Sequence, residues 1–250
     1  IDLDGADGAG PGRSLLAHGV TTVQAVNGNE PWLRDLAERW RAQRSGPRLL
    51  RLLRWCGADA PLEDTGPVLV AGAVEICPQN EASAAKGATL ARSRGLAAWS
   101  SLWLTAASGL ADTLRLPAGD PDTARSLIEG SGTYYQDAID ATASSGVVFA
   151  PQLSAGALPL LLEDFPDLLA GRQGTALLAD WRPDGGLAKA GRGRLTSRQR
   201  ITGRISAGGG QIAAGSGNSY GGWGLGLHAE LRALALTGIG NGAVLRAATT

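Results

Sequence analysis

Short apolar runs alternate with helical patterns along almost the whole chain, and this alternation restricts the fold more than any other feature. The run at 19–26, GVTTVQAV, is β-branched and bounded by Gly19 and Asn27, so it reads as a strand. Residues 30–43 follow with Leu33, Leu36, Ala37 and Trp40 at helical spacing. The same reading predicts strands at 48–54, 67–76, 96–102, 110–116, 146–151 and 211–216. Helices are expected from Asn80 to Arg94, with Gly95 as the residue that ends it, and over 121–144 and 158–178. Counting 1–4 as an opening strand gives eight. Eight strands with intervening helices in 250 residues imply a TIM-type (β/α)8 barrel, one domain over 1–250, with a doubly wound open sheet as the competitor. The stretch 180–204 is poor in apolar residues and rich in Gly and Arg, and reads as a surface excursion at the rim, a solvated loop or helix.

Composition excludes several partners. Twenty-three basic residues balance 23 acidic ones, which argues against nucleic acid and against an anionic membrane surface. No apolar run approaches the ~20 residues needed to span a bilayer. A small-molecule ligand and a homo-oligomer are the partners left open. The chain starts at Ile1 and contains no methionine, so it is expected to be excised from something longer. A cytoplasmic location is favoured, with export left open by the missing N-terminus. Cys56 and Cys77 have no metal-ligand spacing, and each sits beside a predicted strand. Buried free thiols are the favoured reading and a disulfide between adjacent strands the alternative.

Several motifs share one likeness. Leu15-Leu16-Ala17-His18-Gly19-Val20-Thr21-Thr22-Val23, Gly46-Pro47-Arg48-Leu49, the run SSGVVFAP at 144–151 and the C-terminal LHAEL and LRAAT segments occur in order. Together with Ala214-Gly215-Ser216 they resemble the amidohydrolase superfamily, in its imidazolonepropionase-like and prolidase-like branch. The likeness covers most of the chain. It implies a barrel of the metal-dependent hydrolase kind, here without the small flanking β-sandwich. It also implies an ancestral reaction, metal-assisted hydrolysis of non-peptide amide or dipeptide C–N bonds.

The residues that should carry this chemistry are missing. The family's first strand ends in two histidines, and Asp4 and Ala6 stand there. Glu75 takes the place of the bridging lysine or glutamate. Ser101 and Leu116 replace the histidines that end the fifth and sixth strands, and Gly217 replaces the final aspartate. The chain holds only two histidines, His18 and His228, and neither lies at these strand ends. The resemblance therefore implies a vestigial site with no metal and no cofactor, zinc being the ancestral ion. An oxygen-only site from Asp2, Asp4 and Glu75 is the weaker alternative. A rewired hydrolase using Asp4, Glu75 and His228 is another, and a binding or scaffolding barrel a third.

Other patterns carry less. Gly217-Asn218-Ser219-Tyr220-Gly221 matches G-x-S-x-G, but only His228 and Glu230 follow it, too near in sequence to complete a triad. It reads as a glycine-rich loop. Seven tryptophans against two phenylalanines is unusual. Trp103 and Trp223, with Leu116, are expected to fill the space that metals would leave, and His228 to line the remaining cleft, against ordinary packing for each. His18, at a helix-to-strand turn, reads as structural.

Overall fold

The computed structural model describes residues 10–25, 30–56, 70–76, 81–101, 109–115, 136–155, 157–170, 188–217 and 224–249. The strands are β1 (Thr22–Ala25), β2 (Arg48–Trp55), β3 (Val70–Ile76), β4 (Ala97–Ser100), β5 (Thr113–Arg115), β6 (Val148–Ala150) and β7 (Gln211–Ile212). The helices are α1 (Gly10–Ala17), α2 (Glu30–Gln43), α3 (Glu81–Ser93), α4 (Gln136–Ser144), α5 (Leu158–Asp164), α6 (Ala188–Ala207), α7 (Leu225–Ala235) and α8 (Asn241–Thr249), with a 3-10 turn at Pro166–Leu169. The seven strands form one parallel sheet in sequence order, β1-β2-β3-β4-β5-β6-β7. Each strand predicted within the described residues is present; most are shorter than expected, while β2 runs one residue further, to Trp55. The eighth, at 1–4, lies outside them.

The sheet curls with its helices on the outside. Val23, Ala25 and Leu49 pack against Leu33, Leu36 and Trp40 of α2. Leu53, Trp55, Val74, Ile76 and Ala98 pack against Ala88 and Ala91 of α3. Leu114 and Phe149 meet Ile139 of α4 and Ile201 and Ile205 of α6. Each such side chain, fully buried, contributes roughly 1.5–3 kcal/mol. Close approach accompanies this packing at Gly46, where an added Cβ would lie 2.2 Å from the Trp40 ring. Only a glycine fits the GPRL turn against that indole.

Three local outcomes refine the sequence expectations. Within the stretch 180–204 the helix alternative holds from Ala188 onward, because Ala188–Ala207 is a 20-residue helix. Its apolar residues Leu195, Ile201 and Ile205, with the buried polar Arg198 and Thr202, make one buried stripe at helical spacing. β7 is only two residues long. Beyond it, the Ala213 N–H still donates to the Phe149 carbonyl at 2.9 Å, but the Ala214 N–H donates to Ala247 of α8 at 2.7 Å. Finally, Cys56 is disulfide-bonded, which corrects the free-thiol reading. Cys77, the only other cysteine in the sequence, lies outside the described residues.

Candidate functional site

Strand alternation decides what faces the inside of the curl. Leu53, Trp55, Val74 and Ile76 point to the helices, so Arg54 and Glu75 between them point inward. The register then aligns Arg54, Glu75, Trp99, Thr113 and Val148 as successive neighbours across five strands. Glu75 is 7% exposed, a buried carboxylate that needs compensation. It has two partners. Arg115 donates from Nη2 to Oε1, reaching across β4, and Arg54 Nε lies 3.3 Å from Oε2. Both oxygens of the carboxylate are therefore engaged by guanidinium groups.

Beside this cluster lies a cavity of about 320 Å³ bounded by β1, β4, β5, β6, the segment after β7, and α8. Trp99, Val148, Ala150 and Leu227 give it apolar surface, while Thr22, Gln24, Thr113, Gln152 and Ser216 add polar groups. Gln152 has φ +48°, a left-handed conformation that non-glycine residues rarely adopt. A buried network holds it. Arg198 donates to the Gln152 carbonyl at 3.4 Å, and the Ser154 N–H donates to Glu230 Oε2 at 2.6 Å. Ser154 Oγ donates to the Ser216 carbonyl at 3.2 Å, joining the segments that follow β6 and β7.

Glu230, fully buried on α7, supports this arrangement from behind. Burial pushes its carboxyl up to about 7, opposed by hydrogen bonds from Ser154 and Leu153 and by the charge of Arg198. His228, two residues earlier, turns away from the network. Its Nε2 lies 3.1 Å from the His18 carbonyl, so that nitrogen carries the proton, and the two imidazoles are 5.5 Å apart. His18 Nδ1 in turn donates to the Ser14 carbonyl at 2.8 Å. The LHAEL motif thus ties α7 to the α1–β1 turn through its histidine and to the β6 loop through its glutamate.

The expected site residues fare as follows. Glu75 ends β3 facing inward, Ser101 directly follows β4 and is half-buried, and Gly217 borders the cavity. His228 adjoins Leu227, which lines that cavity. Asp2, Asp4, Ala6, Leu116, Trp103 and Trp223 lie outside the described residues. Gly217 has φ +61°, and a Cβ there would come within 2.7 Å of Ala155 Cβ and 3.2 Å of Gln152 Oε1. Sequence reasoning missed Arg54, Arg115, Gln152 and Arg198. Period-two alternation from Glu75 would have put Arg54 on the same sheet face only with the strand pairing known, and no spacing signal marks the others.

Among the described residues the donor set does not fit a divalent metal. Among the described residues no three His, Cys, Asp or Glu side chains come together as ligands. Glu75 has both oxygens committed to arginines, and the Gly217 position has no room for a carboxylate side chain without a shift of Ala155.

Among solved structures the chain is similar to a Xaa-Pro dipeptidase with methionine bound in its active site, at 13% identity and a TM-score of 0.59. That match covers 95% of this chain and 64% of the dipeptidase. This chain has the amidohydrolase fold. Its likeness extends to an ochratoxinase from A. niger (10% identity, TM-score 0.59, covering 96% of this chain and 61% of that one). It extends also to a prolidase complexed with N-methylphosphonate-L-proline (14% identity, TM-score 0.56, covering 95% and 64%). The amidohydrolase-like chain thus spans less than two thirds of these solved chains. No family model matches the sequence, and no curated protein matches it. Among the described residues no helix is long and apolar enough to cross a membrane.

Proposed function

We propose that this amidohydrolase-like chain is one barrel domain, closed by residues 1–4 as an eighth strand, in which metal-dependent hydrolysis of C–N bonds has been lost. The observation that carries the reading is the engagement of Glu75 by Arg54 and Arg115. A carboxylate in the place of a bridging ligand is there neutralised by guanidinium groups, so positive charge that a metal would bring is already supplied by side chains. To bind a metal, Glu75 would have to give up these guanidinium partners, which leaves a buried arginine charge uncompensated. The cavity beside the cluster favours a second component of the same reading, a barrel that binds a small molecule rather than transforming it. Nucleic acid and membrane are not expected partners.

The test is metal analysis of the purified chain combined with thermal melts across a Zn²⁺ titration. The expected result is no stoichiometric metal and a melting temperature that does not rise with Zn²⁺, because a ligand that binds only the native state must stabilise it. A tightly held equivalent of zinc, or a concentration-dependent rise, would overturn the proposal and restore the hydrolase.

A further inference from the structure

We propose a second, separate binding site: a cavity at the strand-start end of β2 takes a phosphate monoester, whose dianion is held by the guanidinium groups of Arg41, Arg44 and Arg48. This cavity, of about 480 Å³, lies where the end of α2 turns into β2 and meets Val70, the first residue of β3. It stands whichever way the Glu75 cluster is read. Its described lining includes the three arginines and no carboxylate. All three residues are exposed, so their guanidinium groups are within reach of a ligand.

Several other surface arginines are matched by acids: Arg39 by Asp35, Arg92 by Asp112, Arg192 by Asp164 and Arg232 by Asp167. Among the described residues the guanidinium groups of Arg41, Arg44 and Arg48 have no such partner. Glu38, three residues before Arg41 on α2, makes no ion pair with it. Three like charges around one cavity repel one another, and an anion among them offsets that cost. The dipole of α2 accounts for cations at its C-terminal end, Arg41 and Arg44, but not for Arg48, which begins β2.

The backbone presents these groups from an ordered turn. Arg44 is held at φ +49°, a conformation in which glycine costs least. The Ser45 N–H donates to the Trp40 carbonyl at 3.0 Å, and the Arg48 N–H donates to the Thr21 carbonyl at 2.9 Å. Pro47 stiffens the link between them. Ordering the turn in advance lowers the entropy lost on binding. A phosphate monoester supplies a dianion and several acceptor oxygens, which suits more than one planar guanidinium. Bare phosphate would leave most of about 480 Å³ empty, and Val70, 42% exposed, offers apolar surface to an organic group.

Phenyl phosphate, inorganic phosphate and phenol, titrated at about pH 7.5 and followed by amide chemical shifts, test this. Phenyl phosphate is expected to shift Arg44, Leu49 and Val70 saturably, with an affinity that falls as NaCl rises. Inorganic phosphate should shift the same residues but bind more weakly, and phenol should leave them unmoved at equal concentration. Arg44→Gly suits the left-handed backbone, so it should melt no lower than the parent and yet bind phenyl phosphate about 10-fold more weakly. Arg48→Gln should weaken binding similarly, and it serves as the test if the glycine variant does not fold. No saturable response to phenyl phosphate at millimolar concentration, an equal response to phenol, or binding that both substitutions leave unchanged would each overturn the site. Inorganic phosphate binding as tightly as phenyl phosphate would overturn the monoester assignment.

Discussion

The Glu75–Arg115 pair makes the strongest quantitative demand on this account. Side-chain exposures of 9% and 11% place both charges out of bulk water, whereas Arg54, at 65%, is largely solvated and tolerates loss of its partner. Two unit charges ~4 Å apart attract by about 4 kcal/mol at an effective dielectric constant near 20. That attraction is set against the desolvation of both ions, so removing only one leaves the other buried and uncompensated. Arg115→Met and Glu75→Leu, each close in volume to the residue replaced, should therefore each destabilise by roughly 3–5 kcal/mol. The double variant should lose less than the sum by a coupling energy of about 2–3 kcal/mol. Urea unfolding of the four proteins, with unchanged dependence on denaturant as the check for two-state behaviour, measures the cycle. Additivity within about 0.5 kcal/mol would show that the pair is not a buried unit, and the argument for a neutralised vestigial ligand would fall with it.

Two further outcomes follow from the network behind the cavity. The Glu230 carboxyl, raised from 4.5 to about 7, favours the protonated form in the folded state. Its contribution is then fully present below the unfolded value and is lost as pH rises through 7, a change of roughly 3 kcal/mol. Glu230→Gln should remove this component, so the stability difference between parent and variant should change across pH 4.5–8 in denaturant titrations; parallel curves would refute the assignment. Gly217→Ala should destabilise by roughly 1–3 kcal/mol, from its φ of +61° and the 2.7 Å approach to Ala155 Cβ. Adding Ala155→Gly should recover only the contact share, and the same crowding predicts that restoring aspartate at Gly217 requires that second change. Full stability of the single variant by thermal melt would show the segment to be more adaptable than this packing allows.

Local chemistry made much of the fold legible. β-Branched runs between helical patterns place β1 to β7 where they form, because strand and helix periods are properties of neighbouring residues. The Arg94-Gly95 stop is local in the same sense: Gly95 closes α3 at φ +68°. The LHAEL motif could be recognised in the sequence, but only the folded chain shows that His228 meets the His18 carbonyl and Glu230 meets the Ser154 N–H.

The candidate site was less legible because its determinants are distant in sequence. Glu75 could be named from its strand, but its partners lie 21 residues before it and 40 after it. They converge through the register of four parallel strands, which no single-strand pattern encodes. The sequence by itself determined the alternation of elements and the scarcity of histidines. The tertiary structure decided the rest: a carboxylate engaged by two arginines, and a glutamine held at φ +48° beside a cavity. These depend on burial, and burial is a property of the assembled sheet and helices, because it is created only when separate elements exclude water together.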